Sequence, residues 1–317
     1  MFICVSPNPA IDKRLTVPLL EPGHVLRART SHGYPGGKSA HVAMVLRTLG
    51  EIPRWVGFSG GATGQELVAG LSSLGIATHP CASEQPTRTN LEIVEDCGRV
   101  TEILEPGAAP SGTEIKAFER VCETQFAQAG EYGVVIFAGS LPGGVAPELY
   151  ARLIALAQKS RCSTFLDTSG DALRLALAAQ PQFVKPNREE AGALLGISID
   201  SVSSAARALR KVLALGARSA ALSLGAEGLL FSAGGGTSIL FATALELRVR
   251  STVGCGDSAL AGFAQAFSLK ASPEDAVRLA AACAAANCLA ASPGRGSLAD
   301  IERFKSEICV QSLPDDR

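Results

Sequence analysis

Short apolar runs of strand length alternate with helix-period segments along most of the chain, and this alternation constrains the fold more than any other feature. Strand-length runs occupy residues 2–6, 55–59, 134–138, 164–167, 183–185 and 220–224. Helical periodicity occupies residues 39–49, 64–74, 113–129, 147–160, 189–195 and 203–215. Several of the runs are apolar on both faces, as in parallel strands covered on each side. The pattern predicts a three-layer α/β/α fold with a mainly parallel sheet.

Two stretches do not follow this alternation. Residues 11–31 and 87–104 alternate polar and apolar side chains with the period of a strand, and neither contains a long helix. A hairpin turn is expected at residues 96–99, with the sequence Asp-Cys-Gly-Arg. We expect these stretches to form a small antiparallel sheet beside the main one, as a lid or as a homodimer surface. Since the chain shows no repeat or linker, residues 1–317 are predicted to form one domain.

The composition excludes several classes of protein. The chain has 29 basic and 30 acidic side chains, without the basic surplus typical of a nucleic-acid-binding protein. Hydrophobic residues make up 47% and charged residues 19%, which excludes extensive disorder. The most apolar helical stretch, residues 276–291, contains Arg278 and Asn287 and is too short to span a bilayer. We therefore expect neither a nucleic-acid partner nor a membrane segment.

The cysteines and the first residues indicate a cellular location. The nine cysteines are scattered and include no CxxC pair, which disfavours zinc ribbons and thioredoxin-type chemistry. The first twelve residues lack the basic and apolar regions of a signal peptide and resemble a strand. These features predict a reduced, cytoplasmic protein.

Two segments resemble catalytic motifs without matching them. Residues 31–39 approach the phosphate loop GxxxxGK[ST], but His32 stands where that loop needs its first glycine. Residues 57–61 match GxSxG, but only His79 follows, too close along the chain for the acid and histidine of a hydrolase. The first segment still suits an anionic ligand, and the second predicts a glycine-rich turn between a strand and a helix.

The strongest chemical signal is the sequence Thr-Val-Gly-Cys-Gly-Asp-Ser at residues 252–258, before a small-residue helix at 259–267. Two glycines before a helix let backbone amides converge, and the helix N-terminus favours negatively charged oxygens there. Asp257 would then accept a proton from a substrate hydroxyl while the amides stabilise a transferred phosphoryl group. An Asp cap after a glycine turn, with no catalytic role, explains the same spacing.

Motifs along nearly the whole chain resemble the PfkB, or ribokinase-like, family of sugar kinases. Within that family the chain is most similar to the hexose-phosphate branch of 1-phosphofructokinases, tagatose-6-phosphate kinases and minor 6-phosphofructokinases. The matching segments follow the family's order, at residues 8–12, 36–38, 60–64, 87–90, 139–142, 185–190, 223–228 and 254–257. The resemblance implies a ribokinase-like fold whose inserted β-sheet lid comprises residues 11–31 and 87–104.

The resemblance also implies roles for the residues that accept the phosphoryl group. Asp257 corresponds to the catalytic base, and Gly254, Cys255 and Gly256 correspond to the anion hole. Lys38 and Arg88 would face the substrate's own phosphate, and closure would follow because Arg88 lies on the lid. The complete set of implied substrate-binding residues is Asp12, Gly36, Gly37, Lys38, His41, Arg88 and Ser140.

For the nucleotide, the resemblance implies ATP and Mg²⁺. Asn187 and Glu190 match the family's NxxE motif, which acts in the region of Mg²⁺ and the phosphates, where water can separate protein from metal. The implied ATP-binding residues are Lys185, Asn187, Ser223, Gly225, Gly228, Thr252 and Asn287.

Two positions depart from the family pattern. The branch usually has GGKGxN where this chain has Gly-Gly-Lys-Ser-Ala-His at residues 36–41, so His41 replaces an asparagine that normally contacts the sugar. Cys255 replaces the more common alanine of the anion hole. We expect His41 to affect the choice of sugar and Cys255 to be either a small structural residue or an oxidation-sensitive thiol.

These inferences predict an ATP-dependent kinase for a ketohexose phosphate. Fructose 1-phosphate is the first substrate expected, with fructose 1,6-bisphosphate as product, and tagatose 6-phosphate and fructose 6-phosphate are alternatives. A kinase for an unphosphorylated sugar or nucleoside is disfavoured by Lys38 and Arg88 together. A non-catalytic sensor of sugar phosphate or nucleotide on a kinase fold is the alternative from another class.

Overall fold

The computed structural model describes residues 1–235 and 238–314. In this part of the chain the strands are β1 (Phe2–Ser6), β2 (Ala10–Val17), β3 (Thr30–Gly36), β4 (Arg54–Ser59), β5 (Ala77–Ala82), β6 (Arg88–Glu95), β7 (Val100–Ile103), β8 (Val134–Ala138), β9 (Ser163–Asp167), β10 (Phe183–Val184), β11 (Ser219–Ser223), β12 (Gly228–Ser232), β13 (Ile239–Thr243) and β14 (Val310–Leu313). The helices are α1 (Lys38–Thr48), α2 (Gly61–Ser73), α3 (Gly112–Ala129), α4 (Leu149–Lys159), α5 (Gly170–Leu177), α6 (Arg188–Leu195), α7 (Val202–Ala214), α8 (Cys255–Ser268), α9 (Pro273–Leu289) and α10 (Leu298–Glu307).

The main sheet has ten strands in the order β14-β13-β12-β11-β10-β9-β8-β1-β4-β5. The strands from β11 to β5 pair in parallel, whereas β12, β13 and β14 extend the sheet with antiparallel pairings. Since β1 and β14 belong to one sheet, both ends of the described chain share one scaffold. That the chain forms one domain stays a prediction.

The core lies on both faces of this sheet, and the alternation of side chains along each central strand explains why. On β1, Phe2 and Cys4 belong to an apolar cluster that includes residues of α1, α2, α8, α9 and α10, while Ile3 and Val5 belong to the cluster on the opposite face, which includes residues of α3, α4, α5 and α7. Because both faces are covered, strands of this kind carry apolar residues at every position. The predicted three-layer α/β/α fold is confirmed.

Aromatic rings in contact hold α8 against the sheet. Phe183 of β10 lies between Phe165 of β9, with ring centroids 4.9 Å apart, and Phe263 of α8, with centroids 4.8 Å apart. Burying such a ring stabilises the fold by about 1.5–3 kcal/mol. The contacts matter for function because they position the first turn of α8, which carries Asp257.

The second sheet is the predicted lid, with strand order β3-β2-β6-β7. The expectation of a wholly antiparallel sheet is wrong, because β2 and β6 pair in parallel at its centre. Strand β2 follows β1 along the chain and strand β6 follows β5. Because β1 and β5 are parallel strands of the main sheet, β2 and β6 leave its carboxyl edge in the same direction. Antiparallel pairing is confined to β2 with β3 and to β6 with β7.

The lid also extends beyond its predicted bounds. The first stretch was expected to end at residue 31, but β3 continues to Gly36. Its first four residues are exposed and polar or small, so the strand lacks the apolar period on which the prediction depends. The strand then enters α1, which begins at Lys38 instead of the predicted residue 39.

Most predicted elements have the expected type, but those with weak patterns escaped prediction. β1 and β8 have the predicted bounds, β4, β9 and β10 differ by one residue at one end, and β11 is shifted by one residue at both ends. The elements not predicted are β5, β12, β13, β14, α5 and α10. None of the described helices has both the length and the apolar composition needed to cross a bilayer.

Candidate active site

The predicted site residues follow strands at the carboxyl edge of the main sheet. Ser140 lies two residues after β8, Lys185 directly follows β10, and Ser223 ends β11. Asp12 lies on β2, which leaves the same edge after β1. Ligands of open α/β sheets bind in the crevice at this edge.

Helix α8 begins at the predicted glycine–aspartate element. Its cap, Gly254, has a φ of 80° and a ψ of −1°, a left-handed conformation that favours glycine. Among the described residues, the backbone N–H groups of Gly254, Gly256 and Asp257 have no hydrogen-bond partner. Together with the positive end of the helix dipole, they are available to an anionic ligand.

The turn before α8 alters the predicted anion hole at one residue. The N–H of Cys255 donates to the carbonyl oxygen of Thr252 at 3.2 Å, because the left-handed Gly254 folds the chain back on itself. The Cys255 amide is therefore occupied, and the amide of Asp257 is open in addition to those of Gly254 and Gly256. Thr252 supports the turn, and its contact with nucleotide stays a prediction.

Asp257 is joined to the lid through one histidine. The Asp257 side chain is buried, and its Oδ2 lies 2.8 Å from Nδ1 of His41. The other ring nitrogen of His41, Nε2, lies 2.9 Å from Oδ2 of Asp12. On its other oxygen, Asp12 accepts a hydrogen bond from Nδ2 of Asn90, at 2.8 Å. The chain of contacts thus runs from the core helix α8 to the lid strands β2 and β6.

The two carboxylates determine the charge of this histidine. Burial alone would lower the pKa of His41, but hydrogen bonds and charge from Asp12 and Asp257 raise it to about 10. At Asp12, burial alone would raise the pKa. Hydrogen bonds and charge from His41, a hydrogen bond from Asn90 and one from the backbone of Gly37 lower it instead. His41 was predicted to contact the sugar; in this structure both of its ring nitrogens contact protein carboxylates instead.

Gly36 was expected to let the sugar approach the backbone, but a protein side chain already uses that space. A Cβ atom at Gly36 would lie 2.2 Å from Cγ of Asp12, so only glycine allows the carboxylate to lie there. The next residue, Gly37, caps α1 with a φ of 84°. Both glycines therefore hold Asp12 and the start of α1 in position.

Two lysines share one buried carboxylate beside this chain of contacts. Asp167, the last residue of β9, lies 2.7 Å from Nζ of Lys38 and 2.8 Å from Nζ of Lys185. A Cβ atom at Gly256 would lie 3.2 Å from Nζ of Lys185, so this ammonium group adjoins the anion hole. Burial alone would lower the pKa of Lys38, but the negative charges of Asp167, Asp257 and Glu190 raise it. Lys185 thus adjoins the open amides of α8, and Lys38 shares its carboxylate partner.

The two cations predicted to share the substrate's phosphate have different partners. Whereas Lys38 pairs with Asp167, Arg88 donates to the carbonyl oxygens of Asn8, Pro9 and Glu105 at 3.2, 3.4 and 2.6 Å. No carboxylate is paired with the Arg88 guanidinium among the described residues. Burial lowers its pKa, although Asp12 and Glu105 oppose the shift.

Arg88 lines a small cavity between the lid and the main sheet. The cavity has a volume of about 30 Å³ and is also lined by Asn8, Thr87 and Gly107. The amide of Asn8 donates to Oγ of Ser140 at 3.2 Å, which connects the cavity to the loop after β8. The structure thus brings together Arg88 and Ser140, both predicted substrate ligands, through one intervening residue.

Asn187 and Glu190, predicted for the magnesium region, form the capping box of α6. The Asn187 side chain accepts from the N–H of Glu190 at 2.8 Å, and Oε2 of Glu190 accepts from the N–H of Asn187 at 2.9 Å. Oε1 of Glu190 accepts no hydrogen bond from the described residues and lies 3.8 Å from Nζ of Lys38.

These residues fit Mg²⁺ held largely by water and phosphate. No group of three or more His, Cys, Asp or Glu side chains is placed to hold a metal ion in the part of the chain that the structure describes. Magnesium usually keeps several waters and takes one or two protein carboxylates beside the substrate phosphates. The free oxygen of Glu190 meets that requirement.

The other predicted nucleotide residues lie around the same edge. Ser223 forms a parallel bridge with Asn187, and the turn that follows depends on Gly225 and Gly228, whose φ angles are 61° and 129°. Asn287 is buried instead of lining an open surface: its amide donates to the carbonyl of Val253 at 2.7 Å and accepts from the N–H of Gly294 at 2.8 Å. Its structural role is to brace the turn before α8, and its predicted contact with adenine stays a prediction.

Sequence reasoning missed two polar residues of the site. Asp167 ends a predicted strand at the carboxyl edge of the sheet, and that position was a usable signal. Asn90 belongs to the segment 87–90 that resembles the family, but its partner Asp12 is 78 residues away and no local pattern connects them. Both were found only when the strands were paired.

The fold and the site together define a class of enzyme. A buried carboxylate at a helix N-terminus, open backbone amides and two adjacent ammonium groups are the groups needed to deprotonate an alcohol and stabilise a transferred phosphoryl. A β-sheet lid covers the acceptor side. The class is that of phosphotransferases with an alcohol acceptor.

Comparisons with known proteins give the family. The model of the pfkB family carbohydrate kinases matches residues 8–299, and the chain belongs to this family, whose members use ATP with Mg²⁺. It is 35% identical over 279 residues to a 1-phosphofructokinase of Rhodobacter capsulatus, covering 88% of this chain and 87% of that one. It is 32% identical to a D-tagatose-1-phosphate kinase of Klebsiella oxytoca, covering 99% of this chain and 100% of that one.

A solved structure agrees with this assignment. Phosphofructokinase-2 from Escherichia coli, in complex with fructose-6-phosphate, matches with a TM-score of 0.88 at 27% identity. The match covers 97% of this chain and 98% of the other. The predicted ribokinase-like kinase fold and the predicted family are confirmed.

The shared carboxylate predicts an acid-sensitive contribution to stability. Burial alone would raise the pKa of Asp167, but the ammonium groups of Lys185 and Lys38 lower it to about 2. A lowered pKa stabilises the fold above the unfolded-state pKa of about 4, and this contribution is lost as pH falls towards 2. We expect the difference in unfolding free energy between wild type and Asp167→Asn to shrink by about 2 kcal/mol from pH 5 to pH 2.

Urea denaturation at pH 5, 3.5 and 2 measures this difference. Asp171→Asn is the matched control, because Asp171 forms an exposed pair with Arg174 in one helix and such pairs contribute little. A gap between wild type and Asp167→Asn that does not depend on pH would contradict the prediction.

Proposed function

We propose that the chain transfers the γ-phosphoryl group of ATP to a hydroxyl of a ketohexose phosphate, with fructose 1-phosphate as the first substrate. The single observation that carries this proposal is the buried Asp257 at the N-terminus of α8, beside three open amides. The kinase names of the relatives support the reaction class.

Asp257 acts as the base in the proposed reaction. Oδ1 of Asp257 accepts no hydrogen bond from the described residues, whereas Oδ2 is held by His41. Oδ1 takes the proton of the substrate hydroxyl. As it does so, the hydroxyl oxygen attacks the γ-phosphorus, and the bond from phosphorus to the leaving ADP oxygen breaks. General-base catalysis of this kind contributes about 10²–10⁴-fold in rate.

The cationic side of the site stabilises the transferred group. The amides of Gly254, Gly256 and Asp257 donate to the phosphoryl oxygens, and the ammonium groups of Lys38 and Lys185 add positive charge. Mg²⁺ neutralises phosphate charge when bound, and Glu190, directly or through water, is the residue that would hold it. Lys38 is thus proposed for the transferred phosphoryl group, revising its predicted role at the substrate's own phosphate.

Arg88 and Ser140 hold the substrate's own phosphate in this proposal. Within residues 1–235 and 238–314 the guanidinium donates only to carbonyl oxygens, so a phosphate can compete for its donors and form charge-assisted hydrogen bonds. Arg88 begins the lid strand β6, and phosphate binding therefore draws the lid towards Ser140 on the core. Closure excludes water from the transferred group.

The relatives favour a ketohexose 1-phosphate. A 1-phosphofructokinase and a D-tagatose-1-phosphate kinase both match at 30% identity or more over most of the chain. Fructose 1-phosphate and tagatose 1-phosphate carry the same phosphate and differ in the configuration at one carbon, so one Arg88 pocket fits both. Tagatose 1-phosphate is therefore the second candidate, ahead of the hexose 6-phosphates.

A homodimer through the lid accompanies this proposal. The lid and its loops expose apolar side chains: Leu19, Val25, Ile103 and Leu104. Exposed apolar residues at sheet edges favour pairing with another chain. A cytoplasmic location is consistent with free cysteines throughout the described residues.

The reaction is tested by measuring ADP release with Mg²⁺ and ATP on a panel of sugars. The panel contains fructose 1-phosphate, tagatose 1-phosphate, fructose 6-phosphate, tagatose 6-phosphate and free fructose. We expect one ketohexose 1-phosphate to be preferred, and Asp257→Asn to lower kcat by about 10²–10⁴-fold because the base is lost. Asp275→Asn, on the exposed start of α9, is the control.

Either of two results would contradict the proposed function. Turnover by Asp257→Asn within tenfold of wild type would remove the base from the mechanism. Thermal stabilisation by a sugar phosphate without ADP release would support the sensor.

The phosphate pocket is tested by Arg88→Ala. Since a hydrogen bond to a charged group contributes about 1.5–3 kcal/mol, we expect the KM for the sugar phosphate to rise by about 10–100-fold, with little change in the KM for ATP. Arg29→Ala is the matched control, because Arg29 is a lid arginine paired at the surface with Asp96. An unchanged KM for the sugar phosphate in Arg88→Ala would place that phosphate elsewhere.

A further inference from the structure

We propose that His41 is a positioning residue, which aims the base Asp257 at the substrate hydroxyl and couples this alignment to the lid through Asp12. The inference rests on the proposed function, since it needs Asp257 to be the base. It assigns to His41 a role different from the sugar contact expected from the sequence.

Both ring nitrogens of His41 must carry protons in this arrangement. Nδ1 lies 2.8 Å from one carboxylate oxygen and Nε2 lies 2.9 Å from another, and ionised carboxylates only accept hydrogen bonds. The ring is therefore an imidazolium between Asp257 and Asp12. The raised pKa of His41 agrees with this geometry.

The surrounding backbone holds the ring in place. His41 lies on the buried face of α1, one turn after Lys38, and its side chain is 5% exposed. The loop after α9 packs against it, since a Cβ atom at Gly294 would lie 3.0 Å from the His41 Cα atom. A rigid donor at a fixed place can orient a carboxylate more sharply than water can.

Orientation of Asp257 follows directly from the occupied oxygen. With Oδ2 held by Nδ1 of His41, rotation of the carboxylate is restricted and Oδ1 remains the oxygen that receives the hydroxyl proton. In catalysis a misplacement of about 1 Å can cost about 10²-fold in rate. The positioning role of His41 is therefore expected to affect kcat more than nucleotide binding.

The second contact makes the alignment depend on the lid. Asp12 lies on β2, and Asn90 of β6 donates to its other oxygen at 2.8 Å. When these strands move away from the core, the Nε2 proton of His41 loses its acceptor, and the hydrogen bond to Asp12 no longer orients the ring. The base is thus aligned when the lid is closed.

Kinetics of His41→Asn test the proposal. We expect kcat to fall by about 10²-fold while the KM for ATP stays within about twofold, because the nucleotide site is untouched. His79→Asn is the matched control, since His79 lies on the edge strand β5, outside the site. A kcat for His41→Asn within twofold of wild type would overturn the positioning role.

Nitrogen-15 NMR of the histidine rings in wild-type protein tests the bridge itself, independently of any variant. At pH 8 we expect both nitrogens of His41 to be protonated, whereas burial and the charge of Arg54 lower the pKa of His79 and keep it neutral. A neutral His41 ring would overturn the proposal even if the variant failed to fold. Absence of turnover on the whole sugar panel would instead refute the proposed function. In that case the NMR result still decides whether a charged His41 connects Asp257 with Asp12.

A separate observation carries a second inference: we propose that Cys255 and Cys288 form a dithiol that hydroperoxides oxidise to a disulfide, which inactivates the enzyme. Their sulfur atoms lie 3.3 Å apart, and both side chains are partly exposed. Cys255 is the first residue of α8 and Cys288 lies in the last turn of α9.

Oxidation proceeds in two balanced steps. The Cys288 thiolate attacks the hydroperoxide, which takes up a proton and leaves as an alcohol, and a sulfenic acid remains on Cys288. The Cys255 thiol then attacks the sulfenic sulfur, forming the disulfide and releasing water. The hydrogen bond from Cys255 lowers the pKa of Cys288 and supports its role as the attacking thiolate.

Bond formation must draw the two sulfur atoms together by about 1 Å. The first turn of α8 also carries the open amides of Gly256 and Asp257, so this movement displaces the anion hole and the base together. Asn287, which braces the same turn through the carbonyl of Val253, lies 3.4 Å from the Cys255 sulfur and moves with it.

Treatment with tert-butyl hydroperoxide tests this inference. We expect wild type to lose activity about tenfold or more, dithiothreitol to restore it, and peptide mass spectrometry to find the Cys255–Cys288 disulfide. Cys288→Ser should keep basal activity and resist the peroxide, whereas Cys309→Ser, which removes an exposed thiol elsewhere, should remain sensitive. Equal sensitivity of Cys288→Ser and wild type, or oxidised protein without this disulfide, would overturn it.

Discussion

Balanced burial of charge is the constraint on which the rest of this site depends. On one side, the imidazolium of His41 lies between two carboxylates, Asp257 and Asp12; on the other, the carboxylate of Asp167 lies between two ammonium groups. One cluster has a net negative charge and the other a net positive charge. Burying ionised groups costs several kcal/mol for each ion unless they are paired, so neither cluster persists without its central residue.

This division of charge matches the two halves of the proposed reaction. In that proposal a hydroxyl gives up its proton beside the carboxylates, and a phosphoryl group with spread negative charge is received beside the lysines and the open amides of α8. Because replacing buried ion pairs with apolar residues often stabilises a protein, stability alone does not explain their presence. The geometry explains it, since Lys185 adjoins Gly256 while His41 contacts the next residue, Asp257.

Sequence patterns predicted the fold and located the glycine–aspartate element at the start of α8 because both depend on local signals. Buried parallel strands are apolar at every position, and the glycines around Cys255 are recognisable by spacing. Contacts between distant segments have no such signal, so the bridge from Asp257 to Asp12 and the anchoring of Lys38 by Asp167 were not foreseen. The parallel pairing of β2 with β6 was missed for the same reason, since it depends on which edge of the main sheet each strand leaves.

The lid and the anion hole are also joined through a second set of buried contacts. Glu92 of β6 accepts from Arg14 of β2 at 2.7 Å and from Oγ of Ser251 at 3.2 Å, and Ser251 in turn accepts from the N–H of Val253. The lid therefore contacts the segment that leads into Gly254, and it is also joined to Asp257 through His41. Because two independent connections reach one helix end, displacement of the lid is expected to disturb Asp257 and the open amides together, and the proposed catalytic site is then assembled only when the lid is closed.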